Sequence, residues 1–124
     1  MGLLDRFRRR GGRPGSRGAR PEDVEHLFNW AASRRGVEGY LEPRTYVTET
    51  TLLLIAHDGE WTRRRVDGPA AAFRIARQMQ IPCYEVHKVG YPQRMRDYQA
   101  RQRILRKRER QRRLLGDSGT NVEG

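Results

Sequence analysis

Hydrophobic positions change their period several times along the chain, and each change marks an element. Val24, Leu27, Phe28 and Ala31 follow the i, i+3, i+4, i+7 spacing of one buried helical stripe, with Trp30 on its border. Pro21 suits the first turn of that helix, Glu22 and Asp23 complement its positive end, and Gly36 is a natural stop. Residues 44–57 then read as a strand rich in β-branched side chains. Its first half alternates, with Val47 on one face and Tyr46, Thr48 and Thr50 on the other. Its second half, "LLLIA", is apolar on both faces, which predicts a central strand covered on both sides. "HDGEW" groups His57, Asp58 and Glu60 as if for catalysis, but Asp-Gly between two strand-like runs reads more simply as a hairpin tip. A type I′ turn with positive φ at both positions favours that dipeptide. Residues 60–66, "EWTRRRV", form the second strand, its charges fitting a sheet edge.

In "VDGPAAAFRIARQMQIP" the capping Asp67 or Gly68, Pro69 in the first turn and Pro82 as a stop frame a helix. Ala72, Ile75, Ala76 and Met79 make its buried stripe, with Phe73 beside it. "CYEVHKV", residues 83–89, reads as a third strand. A strand, helix, strand series implies a crossover and a parallel third strand, packed beside the first. "GYPQRM" turns the chain into a last helix over residues 92–115, with Tyr91, Met95, Tyr98 and Leu105 on one stripe interrupted by Gln102. The expected fold is therefore α+β, or a small α/β domain: helix, β-hairpin, helix, strand, long C-terminal helix, around a three-stranded mixed sheet of order 2-1-3.

Charge divides this plan into parts. The net charge is +11 over 124 residues. Residues 1–20 carry +6, residues 21–90 carry −1, residues 91–115 carry +8, and residues 116–124 carry −2. The expectation is a flexible basic arm over 1–20, a single domain over 21–115 ending in a basic helix over 91–115, and a polar tail over 116–124. Basic extensions on a balanced body suit a polyanion. Arg outnumbers Lys by 24 to 2, and Arg is the better bidentate phosphate ligand. A GC-rich coding sequence produces the same ratio, so the placement of the charge carries more weight than its type.

Arg94, Arg96, Arg101, Arg103, Arg106, Lys107, Arg108, Arg110, Arg112 and Arg113 are the candidate phosphate ligands on the last helix. Like charges at i, i+4 repel one another, and bound phosphate relieves that repulsion. Trp61, Arg63 and Arg65 alternate onto one strand face, where an aromatic ring and two guanidinium groups suit a stacked base. A covering helix that makes Trp61 part of the core is the plainer reading of that face. Leu3, Leu4 and Phe7 lie at helical spacing beside Arg6 and residues 8–10, a pattern that also suits contact with an anionic membrane surface. The only soft metal ligands are His26, His57, His87 and Cys83. The last two, four residues apart on a strand, lie about 13 Å from each other, too far to share an ion, so no metal site is expected. Cys83 has no CxxC partner, and neither GxGxxG nor GxxxxGK[ST] occurs, so no cofactor is expected. The longest strongly apolar run, "LLLIA", is too short for a membrane span, the N-terminus lacks a signal-peptide core, and a single cysteine excludes an internal disulfide. These features point to the cytoplasm.

The stretch from "EPRTYVTETTLLLIAHDGEWTRRRV" to "GYPQRMRDY", about residues 40–98, resembles small uncharacterised basic proteins of high-GC bacteria. The resemblance brings no activity and no site residues. The residues themselves favour a non-enzymatic nucleic-acid-binding accessory protein, with RNA ahead of DNA because no helix-turn-helix or finger pattern is present. A ribosome-associated setting fits that reading. The alternatives are a peripheral protein on an anionic membrane or an acidic protein partner, and then a small redox or other enzyme using Cys83. The oligomeric state is not legible from the chain.

Overall fold

The computed structural model describes residues 19–123, with side chains through residue 116. The residues expected to form the amphipathic turn, Leu3, Leu4 and Phe7, lie outside the described residues, as does most of the N-terminal arm. The fold is α+β, with four helices and one mixed sheet among the described residues. In chain order the elements are α1 (Pro21–Ala32), β1 (Glu38–Glu42), β2 (Thr51–Ile55), β3 (Trp61–Arg65), α2 (Pro69–Gln78), β4 (Cys83–Glu85), α3 (Val86–Val89) and α4 (Gln93–Glu123).

The sheet has four strands in the order β3-β2-β1-β4, not three in the order 2-1-3. The strand that sequence reasoning missed is β1. Gly39 in its middle and Glu38 and Glu42 at its ends belong to residue types depleted in strands. Gly39 is there because space is short. A Cβ at that position would lie 3.3 Å from Leu52 Cδ1 and 3.4 Å from the Pro82 carbonyl oxygen. β1 pairs antiparallel with β2 and parallel with β4, so it occupies the place expected for a β2–β4 contact. β4 runs in the same direction as β3, but the crossover through α2 carries it past two strands to the opposite edge.

Two further boundaries differ from the sequence expectation. Residues 44–50 are a turn rather than the start of β2. The Thr45 and Thr48 hydroxyls lie 2.6 Å apart, and the Thr48 N–H donates to Thr45 Oγ1 at 3.1 Å. Hydroxyls that bond nearby backbone compete with ladder formation, which overrides the β propensity of this stretch. Tyr46 and Val47 stand fully exposed on the turn. The third expected strand ends at Glu85, and residues 86–89 close a helical turn, with the Lys88 ammonium 2.7 Å from Glu85. α4 in turn continues to Glu123, through residues read as a polar tail.

"LLLI" is central, as its two-faced pattern predicts. Leu52 and Leu54 join Val24, Leu27, Trp30, Leu41, Val66 and Ile75 beneath α1 and α2. Leu53 and Ile55 face the other way, onto Tyr40 and Met95 of α4. Each of these four residues has no measurable exposure. Helices therefore cover both faces of the sheet, and Met95 marks where α4 docks.

The hairpin between β2 and β3 sits where expected, with a different turn. The Ala56 N–H donates to Glu60 O at 2.8 Å and the Gly59 N–H to Ala56 O at 3.0 Å. This is a three-residue loop in which Gly59 alone has positive φ, at 91°, rather than a two-residue type I′ turn. Gly59 meets a second demand there, because α4 crosses directly over it. An added Cβ would collide with the Arg94 carbonyl and lie 2.8 Å from Tyr98 Cβ. Gly59→Ala is expected to lower stability by about 2–4 kcal/mol, combining left-handed strain with displaced backbone. Gly68 also has positive φ, but nothing lies within 4 Å of its would-be Cβ, so Gly68→Ala should cost clearly less in the same urea titration.

Candidate functional site

The geometry of the basic helix begins in β1. Alternation puts Glu38, Tyr40 and Glu42 on the face toward α4. The Arg94 guanidinium, in the first turn of α4, donates to Glu38 Oε1 and, through Nε, to the Ala56 carbonyl at 3.0 Å. Tyr40 donates its hydroxyl to the same Glu38 oxygen at 3.2 Å. Glu42 accepts a bidentate pair from Arg63 at 2.6 and 2.8 Å, the Thr51 hydroxyl at 2.8 Å and the Tyr91 hydroxyl. Burial opposes ionisation of Glu42, but the hydrogen bonds from Arg63, Tyr91 and Thr51 outweigh it and hold its pKa below the ordinary value. Arg101 reaches back to the Asp58 carbonyl at 3.0 Å, over the hairpin tip. Three sequence-chosen cations, Arg63, Arg94 and Arg101, are thus engaged within the chain.

Two further arginines of the body, Arg34 and Arg64, are also matched. Arg34 is bidentate to Glu60 at 3.0 and 2.8 Å and stacks 4.3 Å above the Trp30 ring. Arg64 lies 3.5 Å from Asp23.

The far half of α4 is different. Every residue from 103 to 116 is exposed. Among the described residues, Arg96, Arg103, Arg106, Lys107, Arg108, Arg110 and Arg112 make no side-chain hydrogen bond or ion pair, whereas Arg113 holds Glu109 at 2.9 Å. The cations are not spread evenly round the helix. Arg103, Arg106, Lys107 and Arg110 stand at i, i+3, i+4 and i+7, with Arg113 one turn on and Arg96 two turns back. These six form one continuous stripe. Arg108 and Arg112 lie on the other side, between the exposed Ile104, Leu105 and Leu115.

Trp61 is partly buried against the Tyr40, Leu53, Ile55 and Met95 cluster, so the plainer reading of a core tryptophan describes much of its ring. Part of it lines an open groove of about 500 Å³ together with Tyr98, Gln99, Gln102, Arg103 and Arg106. The structure therefore brings Trp61 to the basic helix. It does not bring Arg65 there. Arg65 ends β3 some four residues away, in a second groove of about 480 Å³ with Arg20, Arg63, Arg64, Glu22 and Asp23. Sequence reasoning did not single out Gln99 and Gln102. The available signal was Gln102 itself, the polar residue that breaks an otherwise apolar stripe.

Cys83 is half-buried, and burial followed by the charge of Glu85 pushes its thiol pKa up to about 11, so it stays protonated at neutral pH. Burial, then Arg64 and Arg34, lower the pKa of His26, whose Nε2 lies 2.6 Å from Thr62 Oγ1. Among the described residues, no three His, Cys, Asp or Glu side chains group as metal ligands, and no helix is long and apolar enough to cross a membrane.

No family model, curated protein or solved structure matches the chain.

The Glu42 cluster gives a prediction with a definite sign. Its folded pKa is depressed, so its contribution is present above the ordinary value of 4.5 and is lost as pH falls through the depressed one. Glu42→Gln should destabilise the protein by about 2 kcal/mol at neutral pH, because Arg63 loses a charged acceptor. It should also flatten the acid limb of stability against pH. Urea titrations at a series of pH values read both effects; an unchanged acid limb would contradict the assignment.

Proposed function

We propose that the protein binds structured RNA without catalysing a reaction, and that the exposed half of α4 is the contact surface. The observation that carries this reading is the division of the positive charge. In the body, Arg34, Arg63, Arg64 and Arg94 pair with carboxylates. On α4, six exposed cations share one stripe, and among the described residues only Arg113 of the six has an acidic partner. Solvation alone would be served by mixed signs. A single-sign stripe that is unpaired suits a row of phosphates, whose condensed counterions are released on binding. Residues 103–116 extend about 21 Å, a length that suits a helix lying along an RNA groove or a structured RNA surface.

An anionic bilayer fits the helix less well. Ile104, Leu105 and Leu115 are half or more exposed, but Arg108 and Arg112 interrupt them, so no apolar strip is wide enough to lie among acyl chains. An acidic protein surface meets the charge but not the regular spacing.

Affinity for a blunt RNA hairpin is expected to fall with salt, with a log–log slope of about −5 if the six stripe cations each meet a phosphate. Arg106→Gln with Arg110→Gln should flatten that slope by about 2, and Arg108→Gln with Arg112→Gln should change it less. Filter binding or fluorescence anisotropy across a salt series measures it. A salt-independent affinity, or capture by anionic vesicles with no RNA binding, would overturn the reading.

A further inference from the structure

The groove at the root of the basic stripe has a chemistry that phosphate binding alone does not use. We infer that it holds one unpaired nucleotide of the bound RNA, its base stacked on Trp61, next to the helical segment that α4 grips. This deepens the preceding proposal and rests on it. Two aromatic rings, Trp61 and Tyr98, line the groove, and aromatic faces accept any base. Two amides, Gln99 and Gln102, offer both donors and acceptors, which suits the hydrogen-bonding edge of a base that has no pairing partner. Arg103 and Arg106 complete the lining, and both also belong to the stripe, so a backbone running along α4 delivers its next nucleotide into the groove.

The platform is held in place beforehand. The Arg63 guanidinium lies 5.1 Å from the centre of the Trp61 ring, and Glu42 fixes Arg63 by two hydrogen bonds. The Trp61 ring is also packed against the Met95 cluster. A side chain already immobilised loses little entropy when a base stacks on it. The volume of about 500 Å³ is of the size of a single nucleotide. The preferred substrate is therefore a junction of paired and unpaired RNA rather than a blunt helix.

The test compares two RNA hairpins of the same stem, one blunt and one with a short single-stranded 3′ extension, binding to the full chain. The wild type is expected to bind the extended hairpin about tenfold more tightly, the worth of one stacked base. Its tryptophan fluorescence should be quenched by the extended RNA only. In Trp61→Phe the quench should disappear, and in Gln102→Ala, a change outside the apolar core, the ratio of the two affinities should fall toward one. A wild-type ratio near one with firm, salt-dependent binding of the blunt hairpin overturns the nucleotide groove and leaves the phosphate stripe standing. A ratio that survives in Gln102→Ala with no fluorescence change in the wild type also overturns it. Failure to bind either hairpin overturns the underlying proposal as well.

Discussion

Two carboxylates on one face of β1 decide where the last helix goes. Glu38 holds Arg94, and Glu42 holds Arg63 and the Tyr91 hydroxyl at the turn that leads into the helix. Neither acid is placed for solubility. Each sits at an end of a strand whose central residues are buried, opposite the helix that carries most of the chain's excess charge. Met95 supplies the apolar contact between these two polar clamps. The hairpin tip completes the seat, because Gly59 has no side chain to hold the helix away. A long helix with few apolar residues is thus docked by hydrogen bonds at its root and by one methionine, and it leaves the body after Gln102.

That arrangement sorts the arginines into two populations with different physics. Arg34, Arg63, Arg64 and Arg94 are each shielded by a carboxylate within about 3–4 Å, so their fields are largely cancelled nearby. Those on the outer half of α4 keep theirs. A residue's place in the chain does not decide whether it is paired, since Arg94 holds Glu38 and Arg96, two residues on, makes no ion pair among the described residues. Arg63 shows a third use. It is paired, so it is poorly suited to gripping phosphate, yet by stacking on Trp61 it fixes the ring that lines the groove.

Much of this was legible in the chain, and the failures have identifiable causes. Periodicity marked α1, α2, the docked part of α4 and the two-faced β2, because long apolar patterns survive local interference. The hairpin tip was legible from Asp-Gly, although the turn type was not, since the same dipeptide serves a three-residue loop. β1 was missed because its alternation, Glu38, Tyr40, Glu42, presents polar residues to a covered face, the reverse of the usual strand pattern. Its partners, Arg94 and Arg63, lie 56 and 21 residues away, so no local window contains the pair. Residues 44–50 misled in the opposite direction: β-branched threonines read as strand while their hydroxyls close a turn. For the same reason the charge of the last helix was visible from composition, but its division into engaged and free side chains was not.

The outer half of α4 is stable for reasons unlike those of the body. Its residues from 103 to 116 are all exposed, so it relies on the good helix propensity of Arg, Gln, Lys and Leu. Against this stand like-charge pairs at i, i+4, namely Arg103–Lys107, Arg106–Arg110 and Arg108–Arg112, each costing roughly 0.2–0.5 kcal/mol. Glu109 relieves only its own neighbourhood, through Arg113. The helix thus carries a repulsion that a row of phosphates would remove, so under the proposed function binding and helix stability would rise together. Had the repulsion lain along the docked half, the sheet would have had to absorb it. Because it lies wholly beyond Gln102, the docked root of the helix and the sheet beneath it do not bear it.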